Sequence, residues 1–177
     1  VAGGTHHAFH SHGEGFCLLN DFAVAANFLL HEKLARKILI IDLDVHQGNG
    51  TASLFRNEPR VFTFSMHGAH NYPFRKEMSD LDIGLADGTG DDEYLALLDR
   101  HLGDLLNRVE PDFAFFLSGA DVLETDKFGK LKLTMAGCRQ RDEMVFKKLK
   151  DKRIPCTVAM GGGYSPDARI ITEAHCQ

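Results

Sequence analysis

An apolar run, Ile38-Leu39-Ile40-Ile41, ends directly in Asp42-Leu43-Asp44-Val45-His46, and this junction limits the possible folds more than any other stretch of the chain. In an extended backbone, side chains alternate. Asp42, Asp44 and His46 then share one face while Leu43 and Val45 take the other. Two carboxylates and an imidazole at the end of a buried strand are costly unless something pairs them. A divalent cation bound there removes that cost. The chain continues through His46-Gln47-Gly48-Asn49-Gly50-Thr51, whose two glycines allow a tight turn beside a site. The alternative is a solvated loop at a strand end, and the remaining sequence argues against it.

Short apolar runs alternate with helical patterns, as in a parallel α/β sheet. Residues 37–42, 61–65, 112–117 and 155–160 read as strands, and their nearly continuous apolar character fits burial on both faces. Asp91-Asp92-Glu93 opens the clearest helix, with acids where the macrodipole favours them. Tyr94, Leu98, Leu102, Leu105 and Val109 follow at helical spacing as a core stripe, and Pro111 lies just past the end. Further helices are predicted from Asn20-Asp21 through Val24, Ala25, Phe28 and Leu29, and over 136–150. With no repeat, low-complexity tract or linker, the 177 residues read as one domain, long enough for a substantial core. Polar clusters at 42–49, 65–70, 118–121 and 161–164 follow the strands. Open parallel sheets bind ligands outside the carboxyl ends of their strands, so these four segments are expected to converge on one crevice.

The formal charge of −5 supplies no basic footprint for nucleic acid, and no apolar run reaches membrane-spanning length. Cys17, Cys138, Cys156 and Cys176 lack the spacing of a zinc knuckle or redox pair, which fits reduced thiols in a cytoplasmic protein.

Asp44, His46 and Asp121 offer two oxygens and a nitrogen. Three protein ligands with a fourth position left for water describe a catalytic rather than a structural zinc site, and the same set suits Fe²⁺. His6-His7, after Gly3-Gly4, is weak on its own, since such pairs are often structural or surface residues. Beside a metal they become candidates for general base and general acid. Asp42 and Asn49 are suited to orienting the imidazoles by accepting an N–H hydrogen bond. Tyr164, after Gly161-Gly162-Gly163, is placed to donate to a developing oxyanion. A phosphate cradle is disfavoured, because no G-K-S/T and no GxGxxG is present. Cys17 reads as a small packing group, His10 and His12 as solvated, and His67 as a pocket-lining candidate. Asp126 reads either as a brace for the loop carrying Asp121 or as an exposed acid.

Gly3-Gly4-Thr5-His6-His7-Ala8, Gly15-Phe16-Cys17-Leu18-Leu19-Asn20-Asp21, the 42–51 segment, Ser118-Gly119-Ala120-Asp121 and Gly161-Gly162-Gly163-Tyr164 together resemble the zinc-dependent histone deacetylase family. The blocks stand in family order across essentially the whole chain. The stretches 88–94 and 119–126 are most similar to class IV and its bacterial relatives. The resemblance implies a three-layer α/β/α arginase/deacetylase-like fold with a mostly parallel sheet, and residues 1–177 forming part of the catalytic domain. It implies hydrolysis of an acylated lysine peptide or an acetylated small amine. Asp44, His46 and Asp121 would bind the metal, His7 would act as base and then acid, His6 would give electrostatic support, and Tyr164 would polarise the scissile carbonyl. Asp42 would orient His6 and Asn49 would orient His7. Phe16 would form one wall of the acyl channel, Tyr72 or His70 the other, and the Gly15 carbonyl would accept the substrate amide N–H. A K⁺ site is implied near Asp42, Asp44, His46, Ser65 and Met66.

Two departures accompany the resemblance. Asn49 stands where class I relatives carry Asp, and an amide partner should leave His7 less basic. The family's first strands, pocket floor and acidic rim have no counterpart here, so an exposed sheet edge is expected. Two rivals remain. A binuclear manganese ureohydrolase shares the Asp-x-His step but places another Asp where this chain has Gly48. A non-catalytic acyl-lysine binder would not need the complete set of candidate catalytic groups.

Overall fold

The computed structural model describes residues 3–176; Val1, Ala2 and Gln177 lie outside it. Five parallel strands form one sheet: β1 (Ile38–Asp42), β2 (Val61–Gly68), β3 (Leu81–Leu85), β4 (Phe113–Ser118) and β5 (Cys156–Met160). Their spatial order is β3-β2-β1-β4-β5. Helix α1 (Asp21–His31) precedes β1; α2 (Asn49–Phe55), α3 (Asp91–Val109) and α4 (Met135–Asp151) lie between strands, and α5 (Ala168–Cys176) follows β5.

Strand alternation explains the unbroken apolar runs. On β1, Leu39 and Ile41 join a core with Tyr94, Leu98, Leu102 and Leu105 of α3 and Val145 and Leu149 of α4. Ile38 and Ile40 point the other way, into a second core with Phe22, Ala26 and Leu30 of α1 and Phe55 of α2. On β4, Ala114 and Phe116 take the first side while Phe115 and Leu117 take the second. Helices therefore cover both faces, giving the three-layer α/β/α arrangement expected from the sequence. The α3 stripe is buried as expected, and Leu98 has no solvent exposure. Leu98→Ala should destabilise the protein by about 2–5 kcal/mol through lost burial and an unfilled cavity, read as a lower denaturant midpoint.

The four expected strands are present, with β2 running on to Gly68 because Met66, His67 and Gly68 pair with Ile83, Gly84 and Leu85 of β3. Three elements were not anticipated. Edge strand β3 carries Asp82 and Gly84 and is mostly half-buried, so it lacks an apolar run. Helix α2 opens with Asn49-Gly50, a pair that reads as a turn. Helix α5 has one buried residue, Ala174. In α1 the apolar Val24 and Phe28, which help trace the helix in sequence, are exposed, whereas Phe22, Ala23, Ala26 and Leu30 are buried.

Strand order fixes the position of the site. From β1 the chain moves outward through β2 and β3, then returns through α3 to β4 on the opposite side of β1. The carboxyl ends of β1 and β4 therefore flank a topological switch point, where open α/β sheets form their ligand crevice.

Candidate metal centre and acyl channel

Asp44 and His46 follow β1, and Asp121 follows β4, so adjacent strand ends bring the two segments together. One donor atom from each of the three residues lies within 4.8 Å of the others. His46 Nδ1 is 2.9 Å from Asp44 Oδ1 and 3.1 Å from Asp121 Oδ2. The other oxygens are held by backbone amides: Gly162 N–H donates to Asp44 Oδ2 (2.8 Å), and Val45 N–H donates to Asp121 Oδ1 (2.9 Å). Each carboxylate thus keeps one oxygen turned toward His46. A Cβ at Gly162 would meet Asp121 Oδ2 at 2.0 Å, so only glycine lets this strand-end loop approach so closely.

The donor set fits a small divalent ion. Neighbouring ligand atoms around tetrahedral zinc lie about 3.3 Å apart, near the separations between His46 and the two carboxylates. The electrostatics agree. Burial, then the charge of Asp44, pushes the Asp121 carboxyl up to about 7. Burial opposes an imidazolium at His46, but hydrogen bonding and charge from Asp121 and Asp44 outweigh it and push it up to about 10. A bound cation relieves the conflict between two buried carboxylates.

His6 and His7 sit beside this cluster with rings 4.1 Å apart. Asp21 of α1 fixes their approach by accepting from Gly4 N–H (2.8 Å) and Thr5 N–H (2.9 Å). His6 Nδ1–H donates to Asp42 Oδ2 at 2.7 Å, and His7 Nδ1–H donates to Asn49 Oδ1 at 2.7 Å. The partners separate the two rings electrically. For His6, burial is overcome by the charges of Asp42 and Asp44 and the bond to Asp42, which push it up to about 9. For His7, burial and then the charge of His6 lower it to about 3. The two rings are thus pushed in opposite directions, His6 toward imidazolium and His7 toward the neutral imidazole.

A cleft of about 640 Å³ opens onto the cluster, lined in part by His7, Gly15, Phe16, His46, Tyr72 and Tyr164. Phe16 is 92% exposed, as a wall open to a channel would be. Tyr72 stands edge-on to His7 at 5.1 Å; His70 also lines the cleft, with its Nδ1 3.2 Å from Asp87 Oδ1. Tyr164 lies edge-on to His46 at 6.4 Å, and burial, then the charges of Asp44 and Asp121, pushes its hydroxyl up to about 12. A neutral phenol at that place is a hydrogen-bond donor. Of the residues implied for a K⁺ site, Asp42 pairs in register with Ser65, which Met66 follows on β2.

Several contributors were not singled out in sequence. Arg141 of α4 is buried and donates to the carbonyls of Gly119 (2.6 Å) and Leu43 (3.4 Å), bracing both strand ends from behind. Asp126, for which the sequence left a brace and an exposed acid open, accepts from Gly129 N–H (2.8 Å) and Tyr164 N–H (2.6 Å) and so is not a free acid. Asn71 ties the Tyr72 loop to Phe128 and Lys130. Phe74 and Phe128 also line the cleft. His67 is not among the lining residues; it is buried, with Ser65 Oγ 2.9 Å from its Nδ1. Cys17 packs as expected, and His10 and His12 are exposed.

Fold and site together define a parallel α/β protein in which three side chains that could hold a cation lie beside an aromatic-lined cleft. The histone deacetylase domain model matches residues 1–176, and the chain belongs to that family. An uncharacterised protein of Picosynechococcus sp. is 47% identical over 175 residues, covering 99% of this chain and 58% of that protein. Histone deacetylase 2 of Arabidopsis thaliana is 33% identical over 178 residues, covering 98% of this chain and 46% of that protein. The crystal structure of the HDA15 HD domain superposes with a TM-score of 0.80 at 29% identity, covering 99% of this chain and 53% of that one. The chain thus spans about half the length of the relatives it matches. Among the described residues no helix is long and apolar enough to cross a membrane.

Proposed function

We propose that this chain forms the catalytic core of a metal-dependent amidohydrolase that removes acetyl or other acyl groups from lysine side chains or related amines. The observation that carries the reading is the convergence of three metal-competent donors, two differently partnered histidines and a neutral tyrosine on one cleft. When bound by Asp44, His46 and Asp121, Zn²⁺ or Fe²⁺ supplies Lewis acidity toward a carbonyl and a water.

The protein groups then have distinct tasks. Phe16 and Tyr72 enclose the aliphatic stem of the acylated amine, and the Gly15 carbonyl accepts its amide N–H. His7 Nε2 takes a proton from the attacking water, then returns one to the leaving amine. The charge on His6, held by Asp42, favours the developing negative charge, and the Tyr164 hydroxyl donates to the carbonyl oxygen. A K⁺ ion near Asp42, Ser65 and Met66 belongs to the same proposal, as does a cytoplasmic setting. Gly48 in place of an Asp, and a single three-donor group among the described residues, favour one metal over the binuclear rival.

The test is turnover of a panel of acyl-lysine peptides and acetylpolyamines by the intact protein, with metal analysis of the same sample. One metal per chain and amine release support the reading. Two metals, or tight acyl-peptide binding without release, contradict it. Gly15 offers a further check: its φ is +53°, and an added Cβ would lie 2.4 Å from the His7 ring. Gly15→Ala should displace the base and lower kcat/KM by about 100-fold, measured with the best substrate of the panel.

A further inference from the structure

The partner of Asn49 is itself partnered. Asn49 Oδ1 accepts from Gly50 N–H at 3.0 Å as well as from His7, so that atom must be the amide oxygen. Its Nδ2 then faces the other way and donates to Glu14 Oε1 at 3.3 Å. The same Glu14 oxygen accepts a hydrogen bond from the Tyr72 hydroxyl. One carboxylate oxygen, on the loop that also carries Gly15 and Phe16, thereby touches the orienter of the base and the opposite channel wall. Glu14 is half-buried, and its carboxyl is held below its ordinary range, first by the Tyr72 bond.

We infer that Glu14 is a positioning residue: it pins the Asn49 amide so that His7 presents Nε2 to the cleft, and it anchors Tyr72 as the channel wall. The inference rests on the deacylase reading and deepens it. It also gives Asn49 a physical reason. An amide here needs an acceptor behind Nδ2, whereas an Asp at position 49 would set two carboxylates about 3.3 Å apart, the separation now spanned by the Asn49–Glu14 bond. Glu14 and Asn49 are thus a matched pair, with the negative charge moved one residue further from the imidazole.

The match predicts a change of sign. Glu14→Ala should lower kcat about tenfold, the lower range for losing a partner behind a catalytic group. It should also raise KM about threefold by freeing Tyr72, the size of one lost hydrogen bond. Glu14→Gln keeps an accepting oxygen and should restore most of kcat. Asn49→Asp should lower kcat in the wild-type background but raise it in the Glu14→Ala background, where no second carboxylate opposes it. Equal effects of Asn49→Asp in both backgrounds would overturn the inference.

A second reading needs no turnover. In ¹⁵N spectra of the histidine-labelled intact protein, His7 should be a pure Nδ1–H tautomer in the wild type and a mixture in Glu14→Ala. An unaltered His7 signal in that variant would likewise overturn the inference. A wild-type protein that hydrolyses no acyl-amine would instead overturn the deacylase reading, leaving the spectra to decide the role of Glu14.

Discussion

Asp44→Asn is expected to abolish turnover and to strip the protein of its metal. Asp44 supplies one buried oxygen facing His46 Nδ1 at 2.9 Å, and its second oxygen is held by Gly162 N–H. An amide nitrogen in either place would direct protons at the ion or at the Gly162 N–H. The variant also removes one negative charge from a site whose affinity depends on two. Deacylase activity should fall by roughly 10³-fold or more, comparable to the largest losses from removing a single catalytic electrostatic group. Metal content after dialysis against a weak chelator should fall from one per chain to a small fraction. Neighbouring Asp42 cannot substitute, because its Oδ2 is engaged by His6 and its Oδ1 by Asp44 N–H.

Tyr164→Phe should separate catalysis from metal retention. The hydroxyl belongs to a residue lining the cleft beside His46, on a loop whose backbone N–H at Tyr164 is anchored by Asp126. Removing the oxygen leaves the ring packed edge-on against Phe128 and leaves the three donors untouched. Loss of one donor to a developing oxyanion lowers kcat by about 10²–10³-fold. KM should change far less, because the lost bond strengthens as the carbonyl gains charge. Wild-type kcat in this variant would remove Tyr164 from the mechanism, while loss of its metal would make it a structural residue.

The parts of this site legible in sequence are those whose chemistry conflicts with their surroundings. Asp44 and His46 stand out because charged side chains end a buried strand, and Asp121 stands out as the acid shortly after the apolar run 112–117. The His6-His7 pair and Tyr164 were legible chiefly through their glycine-flanked blocks and the family resemblance. Other features have no local signal. Glu14 acts on partners 35 and 58 residues away, so nothing near it in sequence marks its role. Arg141 resembles any basic residue on a helix face until the fold carries α4 beneath the carbonyls of Leu43 and Gly119. Asp21 reads only as an acid in a helix's first turn, yet it also fixes the backbone before His6. Strand β3 was obscured because an edge position tolerates Asp82 and Gly84, and α2 because Asn49-Gly50 imitates a turn. Local pattern thus shows where burial and charge disagree, and tertiary approach decides what resolves the disagreement.

The most direct measurement is anomalous diffraction at the zinc edge from crystals of the zinc-loaded intact protein. A single site requires one peak per chain, within bonding distance of Asp44, His46 Nδ1 and Asp121. Two peaks in the cleft, or one peak away from these three side chains, would contradict it.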